Sequence, residues 1–118
     1  MPEPSISAGT SWQRAFPAEP LRAREARAWA AMHAVHPDAR QVAGELFLAV
    51  LGAHSTRVQM TVSTAGPRRR ITASGSWPLA LRDLRGAGQS IIRGLSTTYG
   101  LTVDDCGLWA ELTWERHE

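Results

Sequence analysis

With 118 residues, 43% of them hydrophobic and 20% charged, the chain has apolar material for one core, which sets aside both a two-domain enzyme and a chain that stays unfolded. Its thirteen basic residues are all arginine, and the formal net charge of +2 is too small to argue for direct nucleic-acid binding. The single Cys106 excludes an internal disulfide and a thiolate zinc site, and the longest strictly apolar run, Leu46 to Leu51, falls far short of the roughly 20 residues that span a bilayer.

Residues 1–10 have no periodicity and no basic or apolar leader, so they are expected to be a disordered segment ahead of a single domain over 11–118, in a cytoplasmic protein without a membrane partner. Alternation from Ser11 to Phe16 predicts a short strand closed by Pro17. Pro20 can open a helix whose apolar stripe reads Leu21, Ala28, Trp29, Met32 and Val35. After the break at His36 to Asp38, a second helix carries Ala39, Val42, Ala43, Leu46, Val50 and Ala53, and it is apolar all round near Leu46 to Leu51. That pattern predicts a central helix sandwiched between other elements.

Val58, Met60 and Val62 alternate with polar residues, and a second alternating stretch carries Ile71 and Ala73 beyond a turn at Thr64 to Pro67, so a hairpin is expected. Arg68 to Arg70 then read as its solvated end. A link over 79–85 and then Gly86, Ala87 and Gly88 precede a helix through Ile91, Ile92 and Leu95 that Gly100 is expected to cap. The strands Leu101 to Val103 and Leu108 to Trp114 close the chain around a turn at Asp104 to Gly107. The order implies an α+β two-layer sandwich of a mixed, mainly antiparallel sheet with helices on one face. His33, His36, His54 and His117 share no spacing that suggests a triad or a metal set.

Gly86 and Gly88 before a helix could admit a phosphate, but Ile91 stands where a dinucleotide site has its third glycine. In context these glycines are more specific. The run from Gly86-Ala87-Gly88-Gln89 to Thr98-Tyr99-Gly100, followed by Gly107-Leu108-Trp109-Ala110-Glu111-Leu112, resembles the carboxy-terminal half of the actinobacterial histidine-kinase-like ATPases, the anti-sigma-factor serine kinase group. Trp12 to Phe16, the Ala/Arg-rich first helix and Ala43-Gly44-Glu45-Leu46 extend the resemblance over about residues 11–115. It implies the histidine-kinase-like ATPase fold and, in the unaltered family, an ATP-dependent serine kinase.

The departures from that pattern bear on function. Glu45 matches the family's acid, but Ala49 stands where the family has a magnesium-binding Asn, and a methyl group cannot ligate Mg²⁺. Where the family has Asp-x-Gly with an adenine-binding Asp, this chain has Ala73-Ser74-Gly75, so Ser74 is the nearest match and no carboxylate is available. The resemblance therefore implies a remnant nucleotide cleft at Ala49, Ser74, Gly75, Gly86 and Gly88, with Glu45 a remnant acid, and no metal, cofactor or catalysis. The expected function is a nucleotide-free regulatory protein-binding module, anti-sigma-like, in transcriptional or developmental control. Its partner would be a sigma factor or another transcriptional regulator. The alternative is an active anti-sigma-factor serine/threonine kinase that uses ATP. Trp77 and Trp114, with no obvious place in a core, are candidates for partner binding, and a homodimer is expected. An emptied cleft also predicts that the link after Gly75 folds down on it, with Trp77, Leu79 and Leu81 as filling and Leu48 on the opposite wall.

Overall fold

The structure, a computed structural model, describes residues 9–52, 55–80 and 87–114. Alternation makes β1 (Thr10–Pro17) a strand, and a 3-10 turn at Pro20–Arg22 feeds α1 (Ala23–His33), with Arg22 bonded to Glu19 at 3.2 Å and Glu25 at 2.9 Å. Helix α2 (Ala39–Leu51), the hairpin β2 (Arg57–Ala65) and β3 (Arg68–Ser74), helix α3 (Ala87–Leu95) and the hairpin β4 (Thr98–Leu101) and β5 (Gly107–Thr113) follow. The strands form one five-stranded sheet in the order β1-β2-β3-β5-β4. Every pairing in it is antiparallel, where a mixed sheet was expected. The protein is thus α+β, compatible with a two-layer sandwich. No helix among the described residues is long and apolar enough to cross a membrane.

One sheet face is buried because β2, β3 and β5 present apolar residues at every second position: Val58, Met60 and Val62, Ile71 and Ala73, Leu108, Ala110 and Leu112. These meet Val42, Leu46, Phe47 and Val50 of α2 and Ile92 of α3. Burying side chains of this size contributes about 1.5–3 kcal/mol each before the entropy of ordering is subtracted. Helix α2 is central as its composition predicts, with α1, α3 and the sheet packed around it.

Of the stripe expected on the first helix only Trp29 is buried, and Ala28 and Val35 are exposed. Leu21 is 88% exposed and Met32 67%, while Ala23, Ala26, Trp29 and Ala30 are buried. Small residues let the α1 and α2 axes approach, and at Gly44 a Cβ would collide with the Arg27 side chain. The expected cap at Gly100 is also corrected. Helix α3 ends at Leu95, and Gly100 sits within β4, opposite Trp109.

Arg69 and Arg70 depart from the solvated end that was expected. Arg69 Nε donates to the Val35 carbonyl at 3.1 Å, and Arg70, only 7% exposed, pairs with Glu111. Register explains this, because β3 sets Arg70 directly opposite Glu111 on β5.

Candidate functional site

Among the described residues, the positions expected to form a cleft divide between the two faces of the sheet. On the helix side, Glu45 and Ala49 lie one turn apart on α2, both half-buried, and Ala49 packs against the core. The start of α3 comes directly against them, so that a Cβ at Gly88 would meet Oε2 of Glu45. Gln89, next along α3, keeps its Oε1 buried without a hydrogen-bond partner among the described residues.

Gly75, at the end of β3, closes onto the end of α2. A Cβ there would overlap Ser55 and reach Val50 Cγ1 at 3.0 Å. The segment that follows is stitched down on two sides. The Ser76 amide donates to Ser55 Oγ at 3.1 Å, while the Gly75 and Leu79 amides donate to the carbonyls of Cys106 and Asp105 at 2.9 Å each. Leu79 is half-buried against the core. Trp77 is not part of the expected filling, because the neighbouring bonds turn it outward and leave it 60% exposed. Leu48 is 37% exposed, on the rim of α2. Gly86, Leu81, His54 and His117 lie outside the described residues.

Ser74 does not join these residues. In a strand successive side chains alternate faces, and with Ala73 in the core Ser74 points to the other side of the sheet. There it lines a shallow hollow of about 320 Å³ with Thr72, Thr102, Val103 and Asp104. Asp104 Oδ1 accepts from the Thr102 hydroxyl at 2.6 Å and the Cys106 amide at 3.0 Å, and these bonds, the hydroxyl first, hold its carboxyl below the ordinary range. The Cys106 thiol is pushed up by desolvation first and then by the carboxylates of Asp104 and Asp105.

The same face carries an arrangement that no sequence motif announced. Arg70 Nη2 donates to Glu111 Oε2 at 3.1 Å, and its guanidinium lies 4.6 Å from the centre of the Trp109 ring. The indole N–H of Trp109 donates to the Leu101 carbonyl at 3.1 Å across Gly100, whose missing Cβ leaves the ring room. Residues 70, 109 and 111 alternate with core positions, so their shared face was readable; which strand β3 adjoins was not.

Trp114 is 41% exposed at the end of β5, with its amide bonded to the Pro67 carbonyl at 2.9 Å and its ring edge-on to His36 at 5.8 Å. His36 Nδ1 accepts from the Asp38 amide at 3.0 Å, so Nε2 carries the proton donated to the Thr113 carbonyl at 3.2 Å. His36 thus pins the α1–α2 corner to the sheet. His33 is held by stacking on Trp12 at 4.7 Å. Among the described residues no three His, Cys, Asp or Glu side chains group as metal ligands do.

No protein-family model matches this chain, and no curated protein matches it.

Proposed function

We propose that the chain is a regulatory protein-binding module on a histidine-kinase-like ATPase scaffold, in which the former nucleotide cleft is occupied by the protein's own side chains. The observation that carries this reading is the contact of Glu45 with Gly88. In an ATP-binding relative the space between those two elements would hold phosphates and Mg²⁺. Here the acid lies against the helix start, Ala49 offers a methyl group, and the wall at Gly75 is packed by Ser55 and Val50. Function then falls to surfaces instead of chemistry. Trp77, exposed on a segment anchored at both ends, is the side chain best suited to a regulatory partner, because a rigid aromatic loses little entropy on binding. A sigma factor or another transcriptional regulator is the class of partner that the resemblance suggests.

Calorimetric titration with Mg-ATP tests the reading. No saturable heat is expected into the millimolar range, and Ala49→Asn, which restores only the ligand type, is expected to lower stability without gaining ATP affinity. Saturable binding at micromolar ATP would overturn the reading and favour the serine/threonine kinase.

A further inference from the structure

Arg69 and Trp114 lie at the end of the sheet opposite Trp77. Antiparallel pairing sets the start of β3 beside the end of β5, with Arg68 opposite Thr113. Side chains alternate along β3, so with Ile71 and Ala73 in the core Arg69 turns to the same, helix-covered side, and Arg68 and Arg70 turn to the other. The α1–α2 corner meets Arg69 and Trp114 there, because the Val35 carbonyl takes a bond from the first and the His36 ring lies edge-on to the second.

The Arg69 guanidinium is fixed in place but not neutralised. Its Nε donates to the Val35 carbonyl at 3.1 Å and its Nη1 to the Gly66 carbonyl at 2.6 Å. Both acceptors are neutral, and among the described residues no carboxylate pairs with it, that of Asp38 at the same corner included. A guanidinium has five N–H donors in a planar fork. With two of them used, Nη2 and the second Nη1 hydrogen remain to grip a carboxylate through two parallel bonds.

The side chains beside it are apolar and exposed. Val35 is 57% exposed and Trp114 41%, and Pro67, whose carbonyl holds the Trp114 amide, is exposed as well. Because hydrogen bonds already hold the backbone at Val35 and Trp114, covering these side chains costs little in ordering.

We infer that this corner is a docking surface for a short acidic segment of a partner protein. One aspartate or glutamate carboxylate forks onto the free edge of Arg69, and an apolar side chain next to it in the segment packs on Val35 and Trp114. Charge selects this occupant. A basic segment would leave the guanidinium uncompensated. The pleat keeps Arg68, Arg69 and Arg70 from forming the clustered basic face that nucleic acid or an anionic membrane requires, and Arg70 is already paired with Glu111. The surface shares no residue with the Gly75 wall or with Trp77, so it stands or falls apart from the proposed function.

NMR titration of the isotope-labelled full chain with two capped tetrapeptides, Glu-Glu-Leu-Phe and its counterpart Lys-Lys-Leu-Phe, tests it. Saturable shifts are expected with the acidic peptide alone, centred on Val35, Arg69 and Trp114, with a Kd of about 1 mM or tighter. Arg69→Gln should weaken binding by roughly tenfold or more, and Arg69→Lys, which keeps the charge and loses the fork, by several-fold. Arg69 also ties β3 to the α1–α2 corner, so a variant that spares it separates recognition from folding. Val35→Glu, at an exposed position, offers the guanidinium an acid from the chain itself, and it should abolish peptide binding while keeping the parent's melting temperature. The inference is overturned by the lack of a saturable shift at about 10 mM acidic peptide. Equal binding of the lysine peptide, shifts centred on Trp77, or a Val35→Glu chain that binds like the parent overturns it too. So does cosedimentation with phosphatidylserine vesicles in the absence of peptide binding, or a set of shifts at this corner that follows protein concentration with no peptide present.

Discussion

Replacing Gly75 with alanine tests directly whether the end of β3 is packed against α2. Among the described glycines only Gly66 adopts a left-handed backbone, so Gly75 accepts an alanine without backbone strain and the whole cost is steric. The new Cβ would overlap Ser55 Oγ, approach Ser55 Cβ at 2.8 Å and approach Val50 Cγ1 at 3.0 Å. Neither neighbour can swing away freely. Val50 is in the core, and Ser55 is buried with its hydroxyl accepting the Ser76 amide. Overpacking of this kind costs about 1–3 kcal/mol, which for a domain of this size lowers the Tm by roughly 3–15 °C. Ser55→Gly removes two of the three clashing atoms but also the bond to Ser76, worth about 0.5–1.5 kcal/mol. Urea unfolding of the two single variants and the double variant should therefore show strong coupling, with the double variant more stable than the sum of its parts. An alanine variant as stable as the parent, or a cycle that simply adds, would refute the packed wall and leave room there for a ligand.

On the opposite face, Glu111→Ala should destabilise by about 2–3 kcal/mol in urea unfolding, because it takes the carboxylate from a buried guanidinium, and Arg70→Met with Glu111→Leu should recover much of that loss. Gly100→Ala brings a Cβ to 3.2 Å from Trp109 Cζ2 and should lower the Tm by a few degrees and shift tryptophan emission as the indole loses its hold on Leu101. The Cys106 thiol, raised by desolvation and by two nearby carboxylates, should alkylate slowly at neutral pH, and Asp104→Asn should speed the reaction. Because the folded state holds the Asp104 carboxyl low, its contribution is fully present above the ordinary carboxylate range and is lost as pH falls through its depressed value. The acid limb of a stability–pH profile should accordingly flatten slightly in Asp104→Asn.

Local pattern determined much of this protein from sequence alone. Alternation located β2 and β3, helical spacing located α2, and the all-round apolar stretch at Leu46 to Leu51 marked α2 as the helix enclosed by the others, because each signal depends only on neighbours along the chain. Where burial turned on packing distance, the pattern misled. Large residues drew the stripe of α1 through Leu21 and Met32, whereas the tertiary contact selected alanines that let the axes of α1 and α2 close up. Glu45, Ala49, Gly75 and Gly88 could be grouped with Ser74 along the chain, but local pattern could not separate them from it, because the pleat turns Ser74 to the opposite face one residue after Ala73. Nor could it join Arg70 to Glu111, 41 residues apart, since that pair exists only once β3 and β5 have chosen each other as neighbours and fixed their register. Strand order and register decide which side chains meet, and both are set by the free energy of the whole core and not by any segment within it.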